Sequence, residues 1–394
     1  MNKYKDYVFI FLLFIGVYFP SSIGMEIKSS FMWTKLIMFL TVSLLLIIKQ
    51  KKIRTIFMFS FLSVISILLI STLFSGAVEY SFGRLGFILC LLLLFCIDFK
   101  NISLSPKVIY AFAIFNIITI SIGYLIVIDN AAVNNFIIDF YSAHKDYLVY
   151  SMIGQHKPVL TFGTHSVAAL FIFYLFYINF KHFMIFNKKI SLVFSILYII
   201  LEYFLHSNTG YVFLIAGLAH VVYYAFHHIK RKHMWKYLFS IAMLLILFNG
   251  EISNFMQLLI LNMGDVWSSP INGIAGRFGD RGALQVNFEY IASHPLNPIG
   301  FGYLPDLYYT DSGFVEYILR GSFTLPLIIY ISLFLFLKKN VISKSSSYTI
   351  YCTFVMMDIF AYPLYTDATT FYILSFMILI LNSFERYRNL QISN

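Results

Sequence analysis

Residues 161–180 read TFGTHSVAALFIFYLFYINF, a run without one aspartate, glutamate, lysine or arginine. A helix rises about 1.5 Å per residue, so about 20 apolar residues cross the hydrocarbon of a bilayer. A helix on the surface of a soluble domain keeps one polar face, whereas this run is apolar all round after its Thr164-His165-Ser166 opening. Working outward from it, we place similar runs at roughly 6–23, 31–48, 55–74, 82–97, 108–128, 190–206, 209–228, 236–250, 313–337, 347–364 and 368–384. The whole chain agrees: 60% of its 394 residues are hydrophobic and 12% charged, where a soluble domain carries about a quarter charged. The expectation is an all-α, polytopic integral membrane protein of about twelve transmembrane helices, with 1–394 as one domain. No small-residue cleavage site follows the first run, which is therefore expected to stay. Cys90, Cys96 and Cys352 lie in apolar runs and offer neither a disulfide framework nor a zinc cluster.

The formal charge of +10 is resolved by position. With the amino terminus inside, the inner segments hold Lys3, Lys5, Lys49, Lys51, Lys52, Arg54, Lys100 and Lys107. They continue with Lys181, Lys188, Lys189, Lys230, Arg231, Lys232, Lys236, Lys338, Lys339, Lys344, Arg386 and Arg388. Against these cations stand only Asp6, Asp98 and Glu385. This is the positive-inside pattern of a chain with both termini cytoplasmic, and it removes nucleic acid as a partner. Two outer connections are long, about 129–160 and about 250–312. Long loops carry polar chemistry that the bilayer forbids. The second holds an amphipathic helix from Ala283 to Ile291, ended by His294-Pro295.

No phosphate-cradling glycine loop, no Asp-x-Asp pair, no His-Glu-x-x-His helix and no Gly-x-Ser-x-Gly elbow occurs. An enzyme working on the outer face needs a substrate that arrives activated, and a lipid-linked diphosphate is the usual form. Arginine forks suit such a group. Candidates are Arg84, Arg277 with Arg281 four residues on, and Arg320. The plainer reading of any of them is a residue facing lipid headgroups.

The long loop adds a resemblance. Gly276-Arg277, then Asn287 through His294-Pro295-Leu296, then Gly300-Phe301-Gly302, then Asp311-Ser312-Gly313 through Arg320-Gly321 resembles the O-antigen polymerase and ligase family. The likeness is close over about 50 residues. It implies a GT-C-like fold and metal-independent, cofactor-free glycosyl transfer from undecaprenyl diphosphate at the outer face of the bacterial cytoplasmic membrane. The polymerase branch moves a growing glycan onto the next lipid-linked repeat unit; the ligase branch moves it to lipid A-core. Ligases tend to carry His-Asn where this chain has Asp311-Ser312, so the resemblance points to the polymerase. Expected partners are the undecaprenyl diphosphate-linked oligosaccharide, membrane lipids and a chain-length regulator. The family favours an arginine after the seventh span, where this chain has Leu205-His206-Ser207-Asn208-Thr209-Gly210. One diphosphate contact is thereby left to Arg84 or His206.

The remaining candidates carry paired readings. Asp311 is either an acceptor for the attacking hydroxyl's proton or a helix N-cap. His294 is a base or donor, or a helix stop. Glu289 is a loop carboxylate that binds substrate or pairs with Arg281 or Lys157, and His165 touches substrate or hydrogen-bonds at a helix start. Glu202, His220 and Asp358 are costly inside a membrane and so draw a functional hypothesis. A flippase or secondary transporter is the alternative from another class, but the paired broken helices expected of one are not evident.

Overall fold

The computed structural model describes residues 14–19, 28–48, 50, 55–73, 88–102, 104, 108–141, 149–162, 164–228, 283–294, 300–301, 304, 307, 312–360 and 368–393. Among these residues every regular element is helical, so the fold is all-α. We label α1 (Lys28–Ile48), α2 (Thr55–Leu73), α3 (Val108–Val127), α4 (Ala131–Tyr141), α5 (His165–Phe186) and α6 (Lys189–Phe204). There follow α7 (Asn208–His228), α8 (Ala283–Ser293), α9 (Gly313–Gly321), α10 (Thr324–Asn340), α11 (Lys344–Phe360) and α12 (Ala368–Ser393). Residues 88–96 are also helical. Phe99–Asn101 form a 3-10 turn and Tyr150–Gly154 a π-helical turn.

The run at 161–180 becomes the central helix. Thr164 is extended, and its hydroxyl accepts from the Val167 N–H at 3.3 Å, satisfying one donor that a helix start leaves open. Asn187, in the left-handed conformation, ends α5 with its N–H on the Phe183 carbonyl. Buried on nearly every side, α5 packs against α6, α7, α11 and α12. Polar ties choose its neighbours. The Tyr198 hydroxyl of α6 donates to Asn116 Oδ1 of α3 at 2.9 Å, and Asn116 and Asn179 of α5 exchange amide hydrogen bonds. On the opposite flank Tyr177 donates to Ser346 at 3.1 Å and Thr353 donates to Tyr174 at 3.3 Å.

The outside of the bundle is apolar too. Leu44 and Leu45 on α1, Phe59 and Leu62 on α2, Ile117 on α3, Val193 and Ile196 on α6, and Leu327 and Ile331 on α10 are all exposed. Among the described residues α5 alone is long and apolar enough by itself to cross a membrane. Phe112–Val127 with Ala131–Tyr141 passes the same test as a pair bent by 107°, and Thr34–Ile48, Phe57–Leu73 and Thr209–Tyr223 are shorter apolar helices.

Two expectations change. The run at 313–337 is two helices, α9 and α10, because Ser322 takes a φ of 57° and turns its N–H back onto the Ile318 carbonyl. The connection at 129–160 contains α4 and the π-helical turn. The expected span at 236–250 lies outside the described residues.

The two ends of the bundle follow from these ties. Tyr177–Ser346 and Tyr174–Thr353 set α5 and α11 antiparallel, so the start of α5 lies at the end of α11. At the opposite end Lys181 reaches Ser345, Asn340 receives the Phe99 N–H, and Arg386 binds the carbonyls of Lys100 and Ile102. This end is basic. The other holds the α3–α4 bend, the α6–α7 turn and the α8–α9 pair.

Candidate functional site

At the non-basic end the α6–α7 turn departs from ordinary backbone geometry. His206 has a φ of 43°, a conformation that non-glycine residues hold only when their surroundings enforce it. The Ser207 hydroxyl accepts from the Gly210 N–H at 3.0 Å and starts α7. Thr209 then lies 3.5 Å, hydroxyl to hydroxyl, from Ser166 in the first turn of α5. His206 Nδ1 is 3.1 Å from the Tyr211 hydroxyl, and its ring meets Tyr203 edge-on at 5.4 Å. The ring is open to solvent on one side and enclosed on the other. Its pKa is held below the usual value, first by that enclosure and then by the charge of Lys157. Burial lowers the Lys157 pKa as well. Two groups that would each gain from an anion are thus brought together, from the 149–162 segment and the α6–α7 turn.

One turn before His206, Glu202 is buried at 3% exposure, and neither carboxylate oxygen has a hydrogen-bond partner among the described residues. An unpartnered buried carboxylate is expensive.

The α8–α9 pair lies at this end too. Leu284 of α8 packs with Leu307 and with Val315 and Leu319 of α9, and Tyr290, Ile291 and Phe301 cover this small core. Gly300, at a φ of 90°, lies against the Arg320–Gly321 backbone, where a Cβ would collide. That approach lets the Phe301 N–H bond the Leu319 carbonyl at 2.6 Å. Ser312 caps α9: its hydroxyl accepts from Val315 N–H at 3.3 Å and donates to the Ile359 carbonyl at 2.7 Å. The capping role read for Asp311 therefore belongs to Ser312. Within α9, Arg320 Nε lies 2.9 Å from Glu316 Oε1, both side chains buried. Asp358 of α11 accepts from the Tyr330 hydroxyl at 2.7 Å and sits against Gly313, whose missing side chain makes room for the carboxylate.

The sequence candidates are distributed as follows. Arg84, Arg277, Arg281 and Asp311 lie outside the described residues. His165 opens α5, one residue from the Ser166–Thr209 contact. Glu289 is exposed and accepts from Gln285 at 2.7 Å, a local helix bond in place of the ion pair with Lys157. His294 stacks on Tyr290 at 4.5 Å with Nδ1 3.0 Å from the Tyr290 carbonyl, as a helix stop would. Arg320 faces Glu316 in the interior. Lys35 escaped the sequence reading: it is 1% exposed, its ammonium bonds Thr369 and the Phe19 carbonyl, and it shares this end with the start of α12. A lone lysine inside the apolar run 31–48 was the available signal.

Among the described residues no three His, Cys, Asp or Glu side chains gather as a metal site requires. Comparison with protein-family models, with curated proteins and with solved structures finds no match.

Proposed function

We propose that the chain is a polytopic protein of the bacterial cytoplasmic membrane, with about twelve spans and both termini inside, that polymerises lipid-linked glycan repeat units at the outer face. One observation carries this reading: charge and polar chemistry divide between the ends of a bundle whose outside is apolar. The basic end suits the cytoplasm. The other end offers Lys157 near His206, and the same end holds the α8–α9 segments that resemble the O-antigen polymerase family. The exposed apolar faces of α1, α2, α3, α6 and α10 support a lipid surround.

The reaction is a displacement. An acceptor hydroxyl oxygen attacks the anomeric carbon of the donor sugar and forms the new glycosidic bond. The carbon–oxygen bond to undecaprenyl diphosphate breaks, and the diphosphate leaves with the electron pair. Arg277 stabilises that leaving group, Asp311 takes the hydroxyl proton, and Lys157 and His206 replace the arginine that the family carries after its seventh span. Arg84, Arg281, His165, Glu289 and His294 are assigned to substrate contact. Arg320 acts through Glu316, by setting the position of α9.

The test is product length. Deleting the gene in its bacterial host should leave single repeat units on the final acceptor, with the ladder of long chains lost. Bare acceptor with long glycan stranded on the carrier would instead make the chain a ligase. An unchanged glycan would remove it from the pathway. In the complemented strain Arg277→Lys should lose activity on the order of 100-fold or more, because an ammonium cannot reproduce the bidentate fork. Full-length chains from normally expressed Arg277→Ala would end that assignment.

A further inference from the structure

At the basic end the Phe99–Asn101 turn, the start of α2 and the last turns of α10 line an open cavity of about 520 Å³. Lys100, Lys338 and Lys339 line it, Phe57 and Leu335 form its apolar side, and Asp98 and Asn101 complete the wall. The lysine stems are steered by aromatic rings, with Lys339 Nζ 5.8 Å from the Phe57 centroid and Lys338 Nζ 5.9 Å from that of Phe334. The turn is held from two sides. Asn340 Oδ1 takes the Phe99 N–H at 2.9 Å, and Arg386 binds the carbonyls of Lys100 and Ile102. The walls are therefore built before any ligand arrives. Asp98 Oδ2 accepts from Asn101 at 2.8 Å, while Oδ1 is buried without a partner among the described residues.

Three cations against one carboxylate leave the cavity wanting an anion. The apolar side suits an amphiphile. Ser60 and Ser332 join α2 to α10 at 2.9 Å, and the exposed Phe59, Leu62, Leu327 and Ile331 on these two helices offer acyl chains a surface. We infer that this cavity binds the phosphodiester headgroup of an anionic membrane phospholipid, with the phosphate on Lys100, Lys338 and Lys339. Basic pockets between helices on the cytoplasmic side are suited to such headgroups. The inference rests on the membrane reading above and is independent of the polymerase chemistry.

The full chain, purified in neutral detergent, is mixed with equal phosphatidylglycerol and phosphatidylcholine of the same acyl chains, and retained lipid is counted by native mass spectrometry. Phosphatidylglycerol should be retained on the order of ten-fold in preference. The Lys100→Gln/Lys338→Gln/Lys339→Gln variant should lose the preference, and the three corresponding Arg substitutions should keep it. Lys181→Gln/Lys188→Gln/Lys189→Gln, elsewhere on the same end, should leave it unchanged. Equal retention of both lipids by the wild type, or equal loss in both Gln variants, would overturn the site. Displacement of the lipid by 10 mM inorganic phosphate would make it a soluble phosphate site and overturn the lipid assignment. A carbonate wash of the source membranes reads the underlying premise separately: protein released by the wash contradicts the membrane reading, and protein that stays in the pellet leaves any lipid failure to count against the cavity alone.

Discussion

The two ends of this bundle use charge in opposite ways. At the basic end lysines and arginines stand near the surface, leaning on rings or on backbone carbonyls, as Lys338 does on Phe334 and Arg386 on Lys100. At the other end charged groups are drawn inside: Lys35, Glu202, the Glu316–Arg320 pair and Asp358 are all buried. Surface cations cost little to keep and respond to salt, whereas buried ones must be matched by a partner or retained for a purpose. In the proposed membrane reading the first arrangement marks the cytoplasmic end. The second marks where polar chemistry is concentrated.

The contrast can be broken by substitution. The largest effect is expected from Arg320→Ala, which strands Glu316 in the interior. Breaking a buried pair from one side costs about 3–5 kcal/mol, so unfolding in detergent should shift strongly. The double change Glu316→Leu/Arg320→Met should recover most of that loss. An Arg320→Ala protein as stable as the wild type would show that the pair holds nothing.

Gly313→Ala comes next. Its new methyl group must displace the Asp358 carboxylate or the start of α9, an overpacking cost of about 1–3 kcal/mol. Gly300→Ala adds a side chain at a positive φ and against backbone, and should cost a similar amount. Lys181→Ala at the basic end, where the ammonium bonds Ser345 in solvent, should change stability by less than about 0.5 kcal/mol. A larger loss there than at Gly313 would erase the distinction between the ends.

At Glu202 the expected sign is reversed. Removing an unpartnered buried carboxylate should leave stability unchanged or raise it by about 1 kcal/mol. Glu202→Met that melts well below the wild type would make Glu202 structural. His206 carries the smallest expected effect. Its folded-state pKa is lowered, so its contribution to stability is present above the unfolded value of about 6.5 and is lost as pH falls below that value. Melting between pH 7 and pH 5 should therefore decline slightly more in the wild type than in His206→Gln. Adding pyrophosphate should narrow the gap by restoring the imidazolium.

Much of the bundle was readable in the chain. The apolar run and the Thr164 opening marked α5, and Glu202 and Asp358 stood out as acids in apolar surroundings. The break at Ser322 was passed over because the run 313–337 stays apolar overall, although Gly321 before it and Pro326 after it, a residue that a helix accepts only in its first turn, carry its signal. The Glu316–Arg320 spacing is that of a helix pair, yet Arg320 read as a phosphate ligand because its burial depends on the packing of α9 against α2, α10 and α11. Lys100 and Lys338 are far apart in sequence, and only the fold makes them one cavity.

Which way the two ends face decides the proposed function, and sided thiol labelling measures that directly. Cysteines placed singly at Gln155 and Ser293 on one end and at Lys188 on the other, in a background lacking Cys90, Cys96 and Cys352, are exposed to an impermeant maleimide outside intact spheroplasts. Gln155→Cys and Ser293→Cys should be labelled in intact cells, and Lys188→Cys only after permeabilisation. Labelling of Lys188→Cys from outside, with the other two protected, would contradict the proposed function.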